Sequence, residues 1–355
     1  MAELPSSEPR LYTARWLQTA ECTTTDMHFC RAPSCVLWRL APLLILIAPA
    51  IFAWTQESTQ SQGPPADEYT IRVNADMVVL RATVEDRKNT RVSGLEKDDF
   101  QVYEDGVLQT IKYFGHEDIP VTVGLVVDNS GSMRPKRDDV IAAALAFARS
   151  SNPQDQMFVV TFNERVSFGL PDNTLFTDQV PQLERALSRT AANGETSLYD
   201  GVAAALERLK QGNRDKKVLI VISDGGDNAS KHRLNEVVAM AERSDAIIYT
   251  IGIFDEQDAD RNPAVLKRLT KDTGGEAFLP ASLKDILPIC ERIARDIRSQ
   301  YTLAYIPTNR KRDGMYRLIH VKASVPDRGR LSIRTRAGYL APAELPSSAG
   351  KANRP

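Results

Sequence analysis

The sequence predicts an α/β fold in which a doubly wound parallel sheet is inserted between β-strand segments. Three observations predict it. Between residues 119 and 298 the runs "VTVGLVV", "MFVVTF", "VLIVIS" and "AIIYTIGI" are continuously apolar rather than alternating, as in strands covered on both faces. Amphipathic helical stretches separate those runs. On either side, at residues 69–118 and 299–341, the apolar positions alternate with polar ones, the pattern of strands with one wet face.

The elements follow in order. "MVVLRATVED" sets Val78, Leu80, Ala82 and Val84 on one face against Arg81, Thr83 and Glu85 on the other. In "FQVYEDGVLQTIKYF", Asp105 and Gly106 lie between two strand-like runs and signal a hairpin. Within the central region, Val140, Ile141, Ala144, Leu145 and Ala148 share a helix face, and Leu198, Val202, Leu206 and Leu209 share another. A last helix over 282–299 carries a stripe of Leu283, Ile286, Leu287, Cys290, Ile293 and Ile297, which makes Cys290 a packing residue rather than a reactive thiol. Beyond it, "YTLAYIP", "YRLIHVKA" and "LSIRTRAGY" read as short strands. The simplest way to bury them is to pair them with the early hairpins in one β-sandwich built from both ends of the ordered chain.

The N-terminal region carries an address. Residues 1–54 form an extension whose apolar stretch, Leu40 to Trp54, follows Arg31 and Arg39. A helix of that length rises only about 22 Å, short of a bilayer core of about 30 Å, so a secretory signal fits better than a span. Export to the periplasm or beyond is the expectation, with a membrane anchored by an uncleaved signal as the alternative. Reading from Met27 instead of Met1 gives a basic leader of ordinary length. Cys35 precedes the apolar stretch, which argues against a lipid-modified cysteine after it. Residues 55–68 read as a flexible spacer and 342–355 as a loose tail.

Composition excludes several classes of function. Lys plus Arg total 45 and Asp plus Glu 46, so no global field draws the chain to nucleic acid or anionic lipid. The basic clusters "RPKRDD", "NRDKK" and "NRKRDG" mix signs and read as solvated surface. The four cysteines show no zinc-binding spacing. No G-x-S-x-G, no P-loop and no G-x-G-x-x-G after a strand occurs, and no histidine has a carboxylate partner at motif spacing. Aspartyl phosphotransfer at Asp128 would want a second carboxylate where Ser130 stands, so an enzyme is the least favoured class.

What remains is a set of hard oxygen donors. Open doubly wound sheets place their crevice outside the carboxyl ends of the strands. Three segments arrive there: "DNSGSM" with Asp128, Ser130 and Ser132, "NGETSLYDG" with Thr196, and "SDGGD" with Asp224. Three hydroxyls and two carboxylates, without thiolate or imidazole, suit Mg²⁺ or Mn²⁺ and disfavour zinc. A cation held largely by neutral hydroxyls keeps its electrophilicity and seeks an anionic oxygen from outside, such as an acidic side chain of a partner protein. Taken alone, "DNSGS" also fits an Asx or Ser turn capping a helix. Asp200 and Asp227 fit capping better than direct ligation.

At these residues the chain resembles the von Willebrand factor type A domain, a Rossmann-like fold with a metal-ion-dependent adhesion site. "DNSGS" matches the D-x-S-x-S signature, and Thr196 in "GETSLYD" and Asp224 in "ISDGGDN" are similar to that family's other two ligand positions. The resemblance covers about residues 119–298. It implies that Asp128, Ser130, Ser132, Thr196 and Asp224 hold the metal and that the function is metal-dependent protein binding or adhesion. A structural scaffold whose cation stiffens the loops is the alternative. The flanks "GLEKDDFQVYEDGVLQTIKYF" and "YTLAYIPTN" to "TRAGYLAP" resemble a group of exported bacterial proteins, abundant in acidobacteria, that carry this domain.

Overall fold

A computed structural model describes residues 77–189, 191–254, 261–326 and 328–343. The apolar segment at 40–54, the spacer at 55–68, the tail from residue 344 and three of the four cysteines lie outside the described residues. No described helix is long and apolar enough to cross a membrane.

The chain enters through four short strands, β1 (Val78–Glu85), β2 (Phe100–Glu104), β3 (Val107–Gln109) and β4 (Ile111–Gly115). The turn between β2 and β3 is the one the sequence signals: Asp105 (φ 47°) and Gly106 (φ 82°) both take the left-handed conformation that closes a tight hairpin. The run after it is not one strand, however. It breaks at Thr110, so that β3 stays with β2 while β4 crosses to a different sheet.

The α/β region follows as β5 (Val121–Asp128), α1 (Arg137–Ser150), β6 (Gln156–Phe162), β7 (Val166–Phe168), α2 (Val180–Ser188), α3 (Leu198–Leu209), β8 (Lys216–Ser223), α4 (Leu234–Arg243), β9 (Ala246–Gly252), α5 (Pro263–Thr270), β10 (Ala277–Phe278) and α6 (Ile286–Arg298). Its six-stranded sheet runs β10-β9-β8-β5-β6-β7, parallel except for the edge strand β7. Helix α1 lies between α2 and α6, and α3 neighbours α4, which neighbours α5. With helices on both faces the central strands are shut off from water, and every residue of β5 and β9 is buried, while the edge strand β7 exposes Ser167 and Phe168. Gly124 leaves room for the side chains of its register partners on the two neighbouring strands: a Cβ there would lie 2.5 Å from Leu219 of β8 and 2.6 Å from Phe158 of β6.

Both helix faces read from the sequence are buried except for Ile141, which is partly covered. The α6 stripe needs one correction. Leu287 is 45% exposed, because it follows Ile286 by about 100° of helix rotation and lies off the line of Ile286, Cys290, Ile293 and Ile297. Cys290 is buried, and burial pushes its thiol up to about 12.

The chain then returns through β11 (Tyr301–Tyr305), β12 (Tyr316–Ala323), β13 (Ser332–Arg334) and β14 (Gly338–Leu340). These interleave with the first four strands in two antiparallel sheets, β13-β1-β11-β4 and β14-β12-β2-β3. Leu80, Leu303 and Tyr305 from one sheet and Val102, Ile319 and Val321 from the other share a single core. Both ends of the described chain therefore build the sandwich, with the α/β region between them in sequence.

The sandwich meets the α/β region through ion pairs. Asp296 of α6 is fully buried and pairs with Arg91 and Arg334 (3.1 Å), while Arg334 also reaches Glu276 (2.8 Å) and Glu85 (3.5 Å). Arg292 spans the same Glu85 (3.4 Å) and Glu276 (3.2 Å). Such a cluster is stable only while every charge keeps its partners.

Candidate metal centre

Strands β5 and β8 are neighbours in register, so their carboxyl ends deliver two carboxylates to one place. Asp128 is the last residue of β5, and Asp224 follows the last residue of β8. Both are buried, at 2% and 3% exposure. Asp128 accepts hydrogen bonds from the Ser130 amide (2.9 Å) and from the Ser223 hydroxyl (2.6 Å). Asp224 accepts from the Gly226 amide (2.9 Å) and from the Ser132 hydroxyl (2.7 Å).

The hydroxyls form a directed chain. Ser132 spends its single hydrogen on Asp224, so the 3.2 Å contact between the two serine oxygens is a donation from Ser130 to Ser132. Oxygen lone pairs on both serines are left free of hydrogen.

Thr196 comes from a third loop that is tied down at several points. The Asn193 amide donates to the Asn129 carbonyl (2.9 Å), and the Gly131 amide donates to the Gly194 carbonyl (3.1 Å). On the other side, the Thr196 amide donates to the Asn228 side-chain oxygen (2.9 Å), and the amides of Asn228 and Ala229 donate to the Thr196 carbonyl. The Thr196 hydroxyl has no hydrogen-bond partner among the described residues. The five residues singled out by sequence thus come from three loops stitched to one another at the carboxyl edge of the sheet.

Electrostatically the place is unbalanced. Neither Asp128 nor Asp224 has a lysine or arginine partner among the described residues, although burying an ionised carboxylate costs several kcal/mol. Burial first, and the neighbouring Asp224 charge second, push the Asp128 carboxyl up to about 6. Two buried acids beside two serine oxygens with free lone pairs make a donor set that a divalent cation with hard-oxygen preference fits. His, Cys and additional carboxylates are missing from it, and no cluster of three or more such groups occurs among the described residues.

Asp227 serves as a cap, whereas Asp200 ties down the loop before α4. Asp227 accepts from the Tyr199 amide (2.9 Å) in the first turn of α3 and from Ser230 (2.5 Å). Asp200 accepts from the amides of Lys231 and His232. It also meets the His232 ring at 2.7 Å, a pairing that sequence spacing did not reveal because 32 residues separate the two. Glu195 is exposed. The "RPKRDD" cluster is not plain solvated surface: Lys136 is buried, and Arg134 (3.1 Å) and Arg137 (3.1 Å) donate to the carbonyls of Ala192 and Leu187, bracing the loop before Thr196.

A doubly wound sheet with oxygen donors from three carboxyl-edge loops defines a class of domain, and the comparison with known families gives it a name. Residues 122–288 match the von Willebrand factor type A domain, a family of protein-interaction and adhesion modules, and the chain carries that domain. An uncharacterized protein of Synechocystis is 23% identical over 145 residues, 40% of this chain; the match spans about a third (34%) of that protein's length. Among solved structures, a von Willebrand factor type A protein from Catenulispora acidiphila aligns with 77% of this chain and 75% of its own at 13% identity and a TM-score of 0.47. BatB from Bacteroides thetaiotaomicron aligns with 50% of this chain and all of its own at 16% identity and 0.41. Proximal thread matrix protein 1 of the mussel byssus, solved with a zinc-occupied adhesion motif, covers 55% of this chain and 49% of its own at 17% identity and 0.43.

Proposed function

We propose that the protein is a metal-dependent binding or adhesion module of the cell envelope or extracellular space. Asp128, Ser130, Ser132, Thr196 and Asp224 would hold Mg²⁺, or Mn²⁺, and the cation would supply a Lewis-acidic position for an Asp or Glu carboxylate of a partner protein. The observation that carries this reading is the uncompensated pair of buried carboxylates beside the Ser130-to-Ser132 hydroxyl chain. The serines contribute dipoles without charge, so a dication there would keep attraction for an outside anion. Gly225 (φ 81°) and the cross-ties among the three loops hold the donors in place before any partner arrives.

A scaffold in which the cation only stiffens the loops is the second reading, favoured by the density of those cross-ties. Calorimetric titration of Mg²⁺ into the full chain should saturate at one site, and Asp128→Ala should abolish the heat while the circular dichroism stays unchanged. Capture of acidic peptides from a defined library should require Mg²⁺ and vanish with EDTA. Metal binding without any carboxylate-dependent capture would favour the scaffold. Absence of metal binding would dismiss both.

A further inference from the structure

At the opposite end of the sheet, a cleft of about 530 Å³ lies between the sandwich strands β1 and β4 and the amino ends of β8 and β9. Its acids sit at the rim and are largely engaged. Asp245 pairs with Arg336, and Asp272 (3.4 Å) and Glu242 (3.7 Å) both pair with Arg268, while Glu117 and Asp215 are exposed to solvent.

Its buried cations are not engaged in that way. Lys216, the first residue of β8, is 4% exposed, and its ammonium donates to the Ile297 carbonyl at the end of α6. Arg81 of β1 is partly buried and donates to the Thr302 hydroxyl. Among the described residues neither has a carboxylate at ion-pair distance. A helix-end carbonyl offers a fraction of a charge and a hydroxyl offers none, so neither desolvated cation facing the cleft is matched by a carboxylate in direct contact. Burial drives the Lys216 ammonium down to about 7, and Arg81 adds to the effect, against the pull of Asp118 and Asp155. Burial lowers Arg81 as well, against the pull of Asp215, Tyr113 and Asp245.

The walls beside these cations are apolar. Val79 (40% exposed) and Tyr113 (51%) are among the large hydrophobic side chains left open on the surface, and Ile119 joins them in the cleft. Concave, partly apolar surface with a few converging polar groups is the ordinary make-up of a small-molecule site.

We propose that this cleft binds a small organic carboxylate, with the anionic end between Arg81 and Lys216 and the apolar body against Val79, Tyr113 and Ile119. Both cations already lie within range of carboxylates, Arg81 of Asp215 and Asp245 and Lys216 of Asp118 and Asp155, so the positive charge left over favours a monoanionic carboxylate over a phosphate dianion. The site is independent of the carboxyl-edge donors.

Titration calorimetry of the full chain with hexanoate tests the proposal, with hexanamide as neutral isostere and inorganic phosphate as dianion. Hexanoate should bind saturably with a Kd of about 1 mM or tighter, and the other two should not. Lys216→Met removes a cap from α6 and can unfold the chain, so Arg81→Gln is the decisive variant: it should weaken hexanoate at least about tenfold with circular dichroism and the Mg²⁺ response unchanged. Absent hexanoate binding, equal binding of hexanamide, stronger binding of phosphate, or unchanged affinity in Arg81→Gln would each overturn it.

Discussion

Replacing Asp128 with Asn separates what the site costs the fold from what it does. Without a cation, the Asp128 carboxyl stands at about 6 against an ordinary 3.8, with burial the larger cause and Asp224 the smaller. That displacement of roughly two pH units corresponds to about 3 kcal/mol of ionisation cost at neutral pH. The sign follows from proton counting. Between those two pH values the folded chain holds a proton that the unfolded chain has released, so stability falls as pH rises through the window and levels off above it. The amide of Asn carries no such cost. Its oxygen still accepts from the Ser130 amide, but its NH₂ replaces an acceptor opposite the Ser223 hydroxyl, which already accepts from the Gly225 amide. That mismatch costs about 1 kcal/mol. Asp128→Asn should therefore stabilise the EDTA-treated chain by about 2 kcal/mol near neutral pH and lose that advantage near pH 4. Mg²⁺ should reverse the order: at about one hundred times Kd the unmodified chain gains about 2.7 kcal/mol and the variant nothing. Urea unfolding followed by circular dichroism, with EDTA and with Mg²⁺, measures all four states. An asparagine variant less stable than the parent in EDTA near neutral pH, or equally stabilised by Mg²⁺, would refute the reasoning.

Three further outcomes follow from the geometry. Gly225→Ala adds a Cβ 2.3 Å from the Asn262 carbonyl oxygen at a φ of 81°; it should cost about 1–3 kcal/mol in chemical denaturation and weaken calorimetric Mg²⁺ affinity, since the next amide, Gly226, orients Asp224. Asp296→Ala leaves Arg91 and Arg334 without their buried partner and should destabilise the chain by about 3–5 kcal/mol, read by urea unfolding. Cys290, buried with its thiol pushed up to about 12, should react with a thiol reagent only as fast as the chain unfolds, and denaturant should accelerate labelling in parallel with the loss of circular dichroism.

The parts legible in the sequence are those fixed by local chemistry. Four continuous apolar runs announce β5, β6, β8 and β9 because a strand covered on both faces is apolar along most of its length. Asp105 and Gly106 announce a turn because few residues adopt positive φ there. What stays hidden depends on tertiary neighbours. The alternation after Gly106 is the same whether β4 continues β3 or changes sheet, and pairing with β11 decides it. Near the candidate metal centre, Asp128, Ser130, Ser132, Thr196 and Asp224 are recognisable by residue type and spacing. Ser223, which braces Asp128, lies in a uniformly buried strand with no alternation to show which way it points. Asn228, which holds the Thr196 amide, looks like any loop asparagine.

The two proposed sites lie at opposite ends of the sheet. Strand β5 and its neighbour β8 advance about 3.3 Å per residue, so Asp128 and Asp224 at their carboxyl ends stand more than about 20 Å from Lys216 at the amino end of β8. The sandwich attaches at that amino end and at the C-terminal half of α6, through Arg336 to Asp245, the Ala337 amide to the Asp272 carbonyl, and the Asp296 cluster. Among the described residues no hydrogen bond or ion pair joins the sandwich to the loops at 128–132, 193–197 or 224–229. An insertion whose described junctions with the sandwich gather at one pole of the sheet leaves the carboxyl-edge loops clear of it. That polarity is compatible with the binding role proposed for the carboxyl-edge loops, because the β strands from both sides of the α/β region are gathered in a single sandwich at the amino edge.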